Sequence, residues 1–344
     1  MDEKDRLLLT CLQSGLPLTP RPFEAWASKT GMDGAELLVR IQRLKREGNF
    51  GGIQAILDPK AFHYQSAWGA MRFSSARLES GAEILGRHPG VLYSCERRHS
   101  FNVWFFVALP QEQDLELHIR CMEKISGAEQ ALFLPVRRIL KGTSLLGVIA
   151  PEISPGIPEF FESLSQKRSI DLTAEEIQMI RQLQEPFPLT DEPFRRIARD
   201  LGLTEIQTLD LMKALVEKKC LKRIGSSSKA ASIEPLSNAM VVWQIPGEKI
   251  ERIAPEIPEL DEVIYADQRE AFPELPFSLY SMVRDGSASE LELAIRRMQD
   301  WFGKWPHQEL VTVREFKKER MRYFPKGLDA WWQENRQAAE TAFQ

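Results

Sequence analysis

The chain has 344 residues, 43% hydrophobic and 27% charged, and its 45 Lys and Arg against 49 Asp and Glu leave a formal charge of −4. That length is too great for one ordinary core and asks for two domains or two copies of a compound unit, while the composition excludes wholesale disorder. With no basic excess, the molecule as a whole has no surface suited to a nucleic-acid backbone, so anion binding has to be local.

The N-terminus, MDEKDRLLLTCLQ, is acidic and lacks the basic stretch and apolar core of a signal peptide. No apolar run approaches the roughly 18 residues of a membrane span, so a cytoplasmic protein is expected. Cys11, Cys95, Cys121 and Cys220 lie far apart with no CxxC pair. They read as reduced thiols, not as a zinc site or a disulfide framework.

Leu7, Leu8, Leu9 and Leu12 open a first helix. Phe23, Trp26 and Ala27 mark a second before Gly31, and Leu37, Leu38, Ile41 and Leu44 a third that stops at Gly48. Three short helices with a glycine turn between the last two predict a helix-turn-helix. The period then changes, predicting a strand over 66–73, a helix over 76–87, strands over 91–95 and 101–109, a helix over 112–125 and a strand over 131–140. This is the βαββαβ order of a ferredoxin-like domain. APEISPGIPEF follows as a Pro-rich linker.

After the linker the order returns. QSGLPLTPRPF at 13–23 recurs as QEPFPLTDEPF at 184–194, 171 residues later, and the same offset carries Gly31 onto Gly202, Leu44 onto Leu215 and Ile53 onto Ile224. Ungapped agreement over that distance marks a duplication. The second copy predicts helices over 177–183, 194–200 and 205–218, then elements over 240–245, 248–253, 262–266, 277–284, 289–302 and 309–316. The expected fold class is α+β, a tandem duplication of winged or helix-turn-helix and ferredoxin-like domains. The expected boundaries are helix-turn-helix domains at 1–58 and 169–228, ferredoxin-like domains at 59–150 and 229–330, a linker at 151–168 and a helical tail at 331–344. The stretch from DEKDRLLLTCLQ to RIQRLKREGNFGGIQAILDP resembles the Lrp/AsnC architecture. That resemblance implies a pseudo-twofold pair of ferredoxin-like domains within one chain, with a homodimer or association with related subunits left open.

A helix-turn-helix suggests a transcription regulator, and an Lrp/AsnC-like regulator answering to a tetrapyrrole or an amino acid is the alternative function. Yet the recognition helices begin Met32-Asp33-Gly34-Ala35-Glu36 and Leu203-Thr204-Glu205-Ile206. Acidic groups there face phosphates unfavourably, so DNA is an unlikely partner.

Cations gather instead on the ferredoxin-like halves: Arg97-Arg98-His99, then Arg137-Arg138 with Lys141, then TVREFKKERMRYF with Arg314, Lys317, Lys318, Arg320 and Arg322. Interleaved Phe316, Tyr323 and Phe324 suit a flat, apolar polyanion. The paired Pro-Leu and Pro-Phe motifs, ERRHSFNVWF, LPVRRILKG, KRIG, AFPELPFSLYSMV and TVREFKKERMRYF resemble the siroheme decarboxylases of heme d1 and alternative heme biosynthesis over nearly the whole chain, with two subunit types fused. The resemblance implies a carboxy-lyase that removes carbon dioxide from two acetate side chains of siroheme to give 12,18-didecarboxysiroheme. It implies no cofactor beyond that iron tetrapyrrole, no metal site of the protein's own and no membrane partner.

From the same resemblance His99 is expected as the general acid or an iron-facing contact, Arg97 as a carboxylate clamp and Tyr265 as a hydrogen-bonding group. Substrate binding is expected from Arg98, Asn102, Trp104, Arg137, Arg138, Lys141, Lys222, Arg223, Arg269, Arg284, Arg314, Lys317, Lys318 and Arg322. The chain departs from the family pattern where Tyr93, Tyr265 and Arg284 stand in place of histidines and Gly51-Gly52 in place of an Arg pair kept, roughly, as Lys222-Arg223. Fewer imidazoles leave fewer proton donors, and one working cleft is expected rather than two.

Overall fold

Each copy of the helix triplet starts where a side chain can take up the open N–H groups of the first turn. Asp2 caps α1 (Glu3–Ser14) and Asp33 caps α3 (Gly34–Arg46). Thr173 with Glu176 boxes α6 (Ala174–Leu183), and Thr204 with Gln207 boxes α8 (Glu205–Glu217). The middle helices, α2 (Pro22–Thr30) and α7 (Pro193–Leu201), both open on proline and close on a glycine in the left-handed region, Gly31 at φ 64° and Gly202 at φ 69°. The repeated Pro-Phe and Gly are therefore the start and stop of one helix.

The computed structural model describes residues 2–48, 52–142, 170–226, 237–285 and 288–340. The expected linker at 151–168 and residues 341–344 of the expected tail lie outside them. The chain clusters into two compact units. In the first, both helix triplets come together and their wing strands, β1 (Ile53–Leu57) and β7 (Leu221–Ser226), pair antiparallel. Ile53 meets Ser226 and Ala55 meets Ile224, so equivalent residues of the duplication exchange places across a local twofold.

The second unit holds both ferredoxin-like halves. Its first half is β2 (Tyr64–Arg72), α4 (Leu78–Gly86), β3 (Val91–Arg97), β4 (Val103–Pro110), α5 (Leu115–Ser126) and β5 (Gln130–Leu134). The other half is β8 (Ser237–Trp243), α9 (Gly247–Ile253), β9 (Val263–Arg269), β10 (Leu279–Asp285), α10 (Ala288–Phe302) and β11 (His307–Glu309). Two more strands, β6 (Val136–Lys141) and β12 (Thr312–Lys318), complete the sheets, and a last helix, α11 (Leu328–Glu340), packs on α5.

The final strand of each half is not the single element the periodicity predicts. The expected strand over 131–140 breaks at Pro135, which has no N–H for the ladder. β5 stays in its own sheet while β6 joins the other half beside β9. The expected strand over 309–316 divides in the same way: Leu310 N–H still bonds Met240 O, at 2.8 Å, but Val311 O accepts from Arg98 N–H, at 3.0 Å, and β12 pairs with β3. Each half thus lends its end to the other, giving two five-stranded sheets ordered β12-β3-β4-β2-β5 and β11-β8-β10-β9-β6.

Alternation along the strands sets two faces per sheet. Helices cover one face: Val103, Phe105 and Val107 with Leu85, Ile119 and Met122 in the first half, and Val241, Trp243, Leu279 and Val283 with Ile250, Leu291 and Met298 in the second. Gly69 of β2 lies opposite Phe105, whose ring crosses the space a β-carbon would fill. The other two faces meet each other: the Trp104 and Tyr280 rings lie 6.2 Å apart.

Candidate functional site

The meeting faces carry the chemistry. On β3 the inward residues are Tyr93, Cys95 and Arg97, and on β9 they are Tyr265, Asp267 and Arg269, all at most 4% exposed. The two triplets occupy corresponding strands of the duplication. Around them stand Trp68, Trp104, Phe106 and Tyr280, each no more than 1% exposed. A charge in such surroundings costs several kcal/mol unless it is paired.

The two guanidiniums are satisfied differently. Arg269 is held by a fork on Asp267, Nε to Oδ1 and Nη2 to Oδ2, both at 2.8 Å. The Tyr265 hydroxyl donates to the same Oδ2 at 2.8 Å. The guanidinium stacks 4.2 Å from the Tyr280 ring and 5.7 Å from that of Trp68, so one side chain touches both sheets. Burial works against its charge, but the Asp267 carboxylate outweighs that and holds Arg269 above its ordinary pKa. Among the described residues Arg97 has no carboxylate partner: its Nη1 donates to Leu310 O at 2.6 Å, and Cys95 and Tyr93 beside it are kept neutral, burial pushing both pKa values up. Arg269 Nη1, Arg97 Nε and the Tyr280 hydroxyl are buried donors without a hydrogen-bond partner among the described residues. Buried donors left open in this way are what a carboxylate-bearing ligand would satisfy.

His99 sits on the turn between β3 and β4, half-buried against Phe101 at 6.2 Å and Phe277 at 6.5 Å between ring centres. Its Nδ1 accepts the Phe101 N–H at 3.0 Å, so the neutral ring carries its proton on Nε2. Burial, together with the nearby Arg72 charge, lowers its pKa below 6.5. Arg72, on the inward face of β2, lies 4.8 Å over the Phe101 ring, bonds Gln130 through Nη2 and leaves its buried Nε open.

Arg97, Arg269, Tyr265 and Trp104 therefore share the inter-sheet face, with His99 on the turn that follows Arg97. Within the same unit, Asn102, Arg98, Arg137, Arg138, Lys141, Arg314, Lys317 and Lys318 are engaged or exposed away from this face. Asn102 is spent on the backbone of Phe73, accepting from its N–H at 2.9 Å and donating to its O at 2.8 Å. Arg98 is exposed. Arg137 and Arg138 form surface pairs with Glu270 at 2.9 Å and Glu251 at 3.0 Å, and Lys141 donates to Leu260 O at 2.6 Å.

The basic strand β12 does lie beside β3, but Arg314 is opposite Glu96, one residue out of phase with Arg97. It turns to Glu96, at 2.7 Å, and to Glu79 of α4. Lys317 donates to Gly86 O at 2.8 Å, and Lys318 pairs with Glu315 at 3.3 Å. Lys222, Arg223 and Arg322 belong to the other unit, where Lys222 faces Asp58 at 3.5 Å and Arg322 meets Glu185 at 2.6 Å. Arg284 is on β10, and its side chain lies outside the described residues. Arg72, Trp68, Asp267 and Tyr280 escaped the sequence reading because a lone Arg, Trp, Asp or Tyr on an apolar strand carries no spacing signal. The repeat was the one available clue, since it sets Asp267-x-Arg269 against Cys95-x-Arg97.

In the helix-turn-helix unit two cations of α3 are engaged by carboxylates. Arg40 binds Asp2 at 2.8 Å, Asp5 at 2.9 Å and Glu36 at 2.9 Å, and Arg43 binds Asp5 at 2.6 Å. No observation favours operator binding. Among the described residues no helix is long and apolar enough to cross a membrane.

Comparison with known proteins gives the family and the fold. A model of the siroheme decarboxylase NirDL-like HTH domain matches residues 5–49 and 176–221, and one of the AsnC-like ligand binding domain matches 61–141 and 236–317. The chain is 29% identical to a siroheme decarboxylase of Hydrogenobacter thermophilus, over 95% of this chain and 97% of the relative. It is 28% identical to the siroheme decarboxylase NirDL subunit of Paracoccus denitrificans, over 92% and 96%. To the siroheme decarboxylase NirG subunit of Pseudomonas aeruginosa it is 31% identical, over 37% of this chain and 86% of that one. Two crystal structures of the siroheme decarboxylase NirDL superpose over nearly its whole length. One has a TM-score of 0.67 at 27% identity, covering 98% of this chain and 100% of that chain. The other, in co-complex with an iron-uroporphyrin III analogue, has a TM-score of 0.68 at 26% identity, covering 99% and 100%.

Proposed function

The chain belongs to the siroheme decarboxylase family, as a fused protein of the NirDL type, and from that premise we propose that its inter-sheet face binds siroheme and releases two of its acetate carboxyls as carbon dioxide, giving 12,18-didecarboxysiroheme. The observation that carries this reading is the set of buried, unsatisfied donors on the facing sheets, Arg97 Nε, Arg72 Nε, Arg269 Nη1 and the Tyr280 hydroxyl. Siroheme carries eight carboxylates on a flat apolar ring, and a wall of aromatic side chains set with guanidiniums is the complement of that ligand.

The halves contribute unequally. Among the described residues Arg97 has no carboxylate partner and is the stronger clamp for a substrate carboxylate, whereas Arg269 is already neutralised by Asp267 and offers its open Nη1. Cleavage of the bond between methylene and carboxylate expels carbon dioxide and leaves its electron pair on a carbon conjugated with the macrocycle. A proton must then reach that carbon to complete the methyl group. His99, close to Arg97 and open to solvent on one side, is the residue that delivers it. Dry walls of Trp68, Trp104 and Phe106 strip water from the leaving carboxylate and favour the neutral product.

Anaerobic incubation of the purified chain with siroheme, followed by mass analysis of the extracted tetrapyrrole, tests the activity. Loss of two carbon dioxide units is expected. A bound tetrapyrrole of unchanged mass would overturn the catalytic reading and leave only binding.

A further inference from the structure

Arg72 carries a charge that the described residues do not balance. It stands on β2 in phase with Trp68 and Ala70, and its hydrogen-bond partner among them is the neutral Gln130 of β5. Its Nε is buried and open. Phe101 ties this charge to His99: the guanidinium lies 4.8 Å from the centre of the Phe101 ring, and the His99 ring stacks on the same ring at 6.2 Å, 21° from parallel. Phe101 is fully buried. A guanidinium and an imidazole that share one buried ring lie within Coulomb range of each other. The other groups around His99 add no carboxylate. On its own turn Arg97 is turned to Leu310 O, Arg98 is exposed and Ser100 Oγ lies 3.4 Å from Nδ1, and from the segment before β10 it meets the apolar Phe277. Burial and, after it, the Arg72 charge disfavour the imidazolium.

An acid that must be charged to work is therefore held back by a neighbouring cation until a carboxylate neutralises that cation. Siroheme brings such carboxylates, since each ring carries an acetate beside a propionate and the propionates are retained. A guanidinium on the departing acetate would hinder the reaction, because it stabilises the negative charge that cleavage moves into the macrocycle. Arg72 suits a carboxylate that stays. On the premise that siroheme is the substrate, we propose that Arg72 seats a propionate which the substrate keeps, and that filling this seat lets His99 take up the proton it delivers. The proton comes from solvent to Nδ1, which gives up the Phe101 N–H and has Ser100 Oγ as an acceptor close by. The proton on Nε2 then goes to the methylene carbon.

Metal-free uroporphyrin III, which carries the same pairs of acetate and propionate, is the probe, because the readout then needs no turnover. The full chain with labelled histidines is titrated by NMR, free and with the probe, and His99→Gln identifies the resonance. The expected result is a His99 acid constant at least about tenfold smaller in the complex than in the free chain. In Arg72→Met the free chain should already show the smaller constant, the probe should change it little, and probe affinity should fall at least about tenfold. Arg72→Lys keeps the charge and should restore the wild-type pair of constants, which a merely structural role would not require. A His99 titration that ignores the bound probe in the wild-type chain, or that responds equally in Arg72→Met, would overturn the proposal and leave tetrapyrrole binding intact. A probe that does not bind the wild-type chain would overturn the siroheme reading, and the proposal with it.

Discussion

Arg97 and Arg269 come from the same position of a duplicated strand, yet the chain treats them as different tools. Asp267 gives Arg269 a two-point partner inside a dry wall, where Cys95 gives Arg97 none. Removing one member of such a buried pair leaves an uncompensated charge, so Asp267→Asn should destabilise the fold by about 3–5 kcal/mol, read from the urea midpoint. The double change Asp267→Asn with Arg269→Met should recover most of that loss. A single variant within about 1 kcal/mol of wild type would show that the fork does not stabilise the fold.

His99 makes a kinetic prediction. Its pKa lies below 6.5 because the ring is buried, so the acid form is populated only toward low pH. Single-turnover decarboxylation should slow as pH rises through that region, and His99→Ala should lower the rate by about 10²- to 10⁴-fold and flatten the profile. An unaltered rate and profile would remove His99 from the proton path. These roles were half legible in the sequence. A cluster reading Glu-Arg-Arg-His announces itself, but nothing in the spacing separates Arg97, which points inward, from Arg98, which does not, until the strand register is known.

Among the elements, α11 shows how a terminal helix is tied to its domain. His88 Nδ1 accepts the Gly90 N–H at 2.9 Å, which puts its proton on Nε2. That proton is then donated to His118 Nδ1, also at 2.9 Å, and both rings lie against Trp331. Either imidazole, once protonated, must give up one of these bonds. Burial accordingly lowers both pKa values, that of His118 to about 4, and the pair stabilises the fold fully above pH 6.5. Its contribution is lost as pH falls from 6.5 toward 4. Urea midpoints should drop over that interval, and His118→Phe should weaken the dependence. An identical pH profile in the variant would contradict the assignment. The helices themselves were plain in the sequence because their caps and glycine stops are local. The strand exchange was not: Pro135 shows that a strand must break, but not which sheet receives the rest. β12 repeats the exchange with no proline, and there only the pairing with β3 reveals it.

At the scale of the molecule, duplication explains both what was legible and what was not. Repeated motifs disclosed two copies of one architecture, and long family motifs disclosed the chemistry, so fold class and activity followed without coordinates. Which cations converge is a property of faces, and density of charge misleads about it. TVREFKKERMRYF is the most basic segment of the second half, yet Arg314 is spent on Glu79 and Glu96 and Lys317 on main-chain oxygens. The sparser Arg72, Arg97 and Arg269 occupy the wall between the sheets.

In the proposed function this inner wall, and not the outer basic strand, holds the tetrapyrrole carboxylates. Anaerobic spectral titration of siroheme into Arg97→Ala and Arg314→Ala tests it most directly. Loss of a buried charge-assisted contact should weaken binding at least about tenfold in Arg97→Ala, with Arg314→Ala within about twofold of wild type. Full affinity in Arg97→Ala with a large loss in Arg314→Ala would contradict the account.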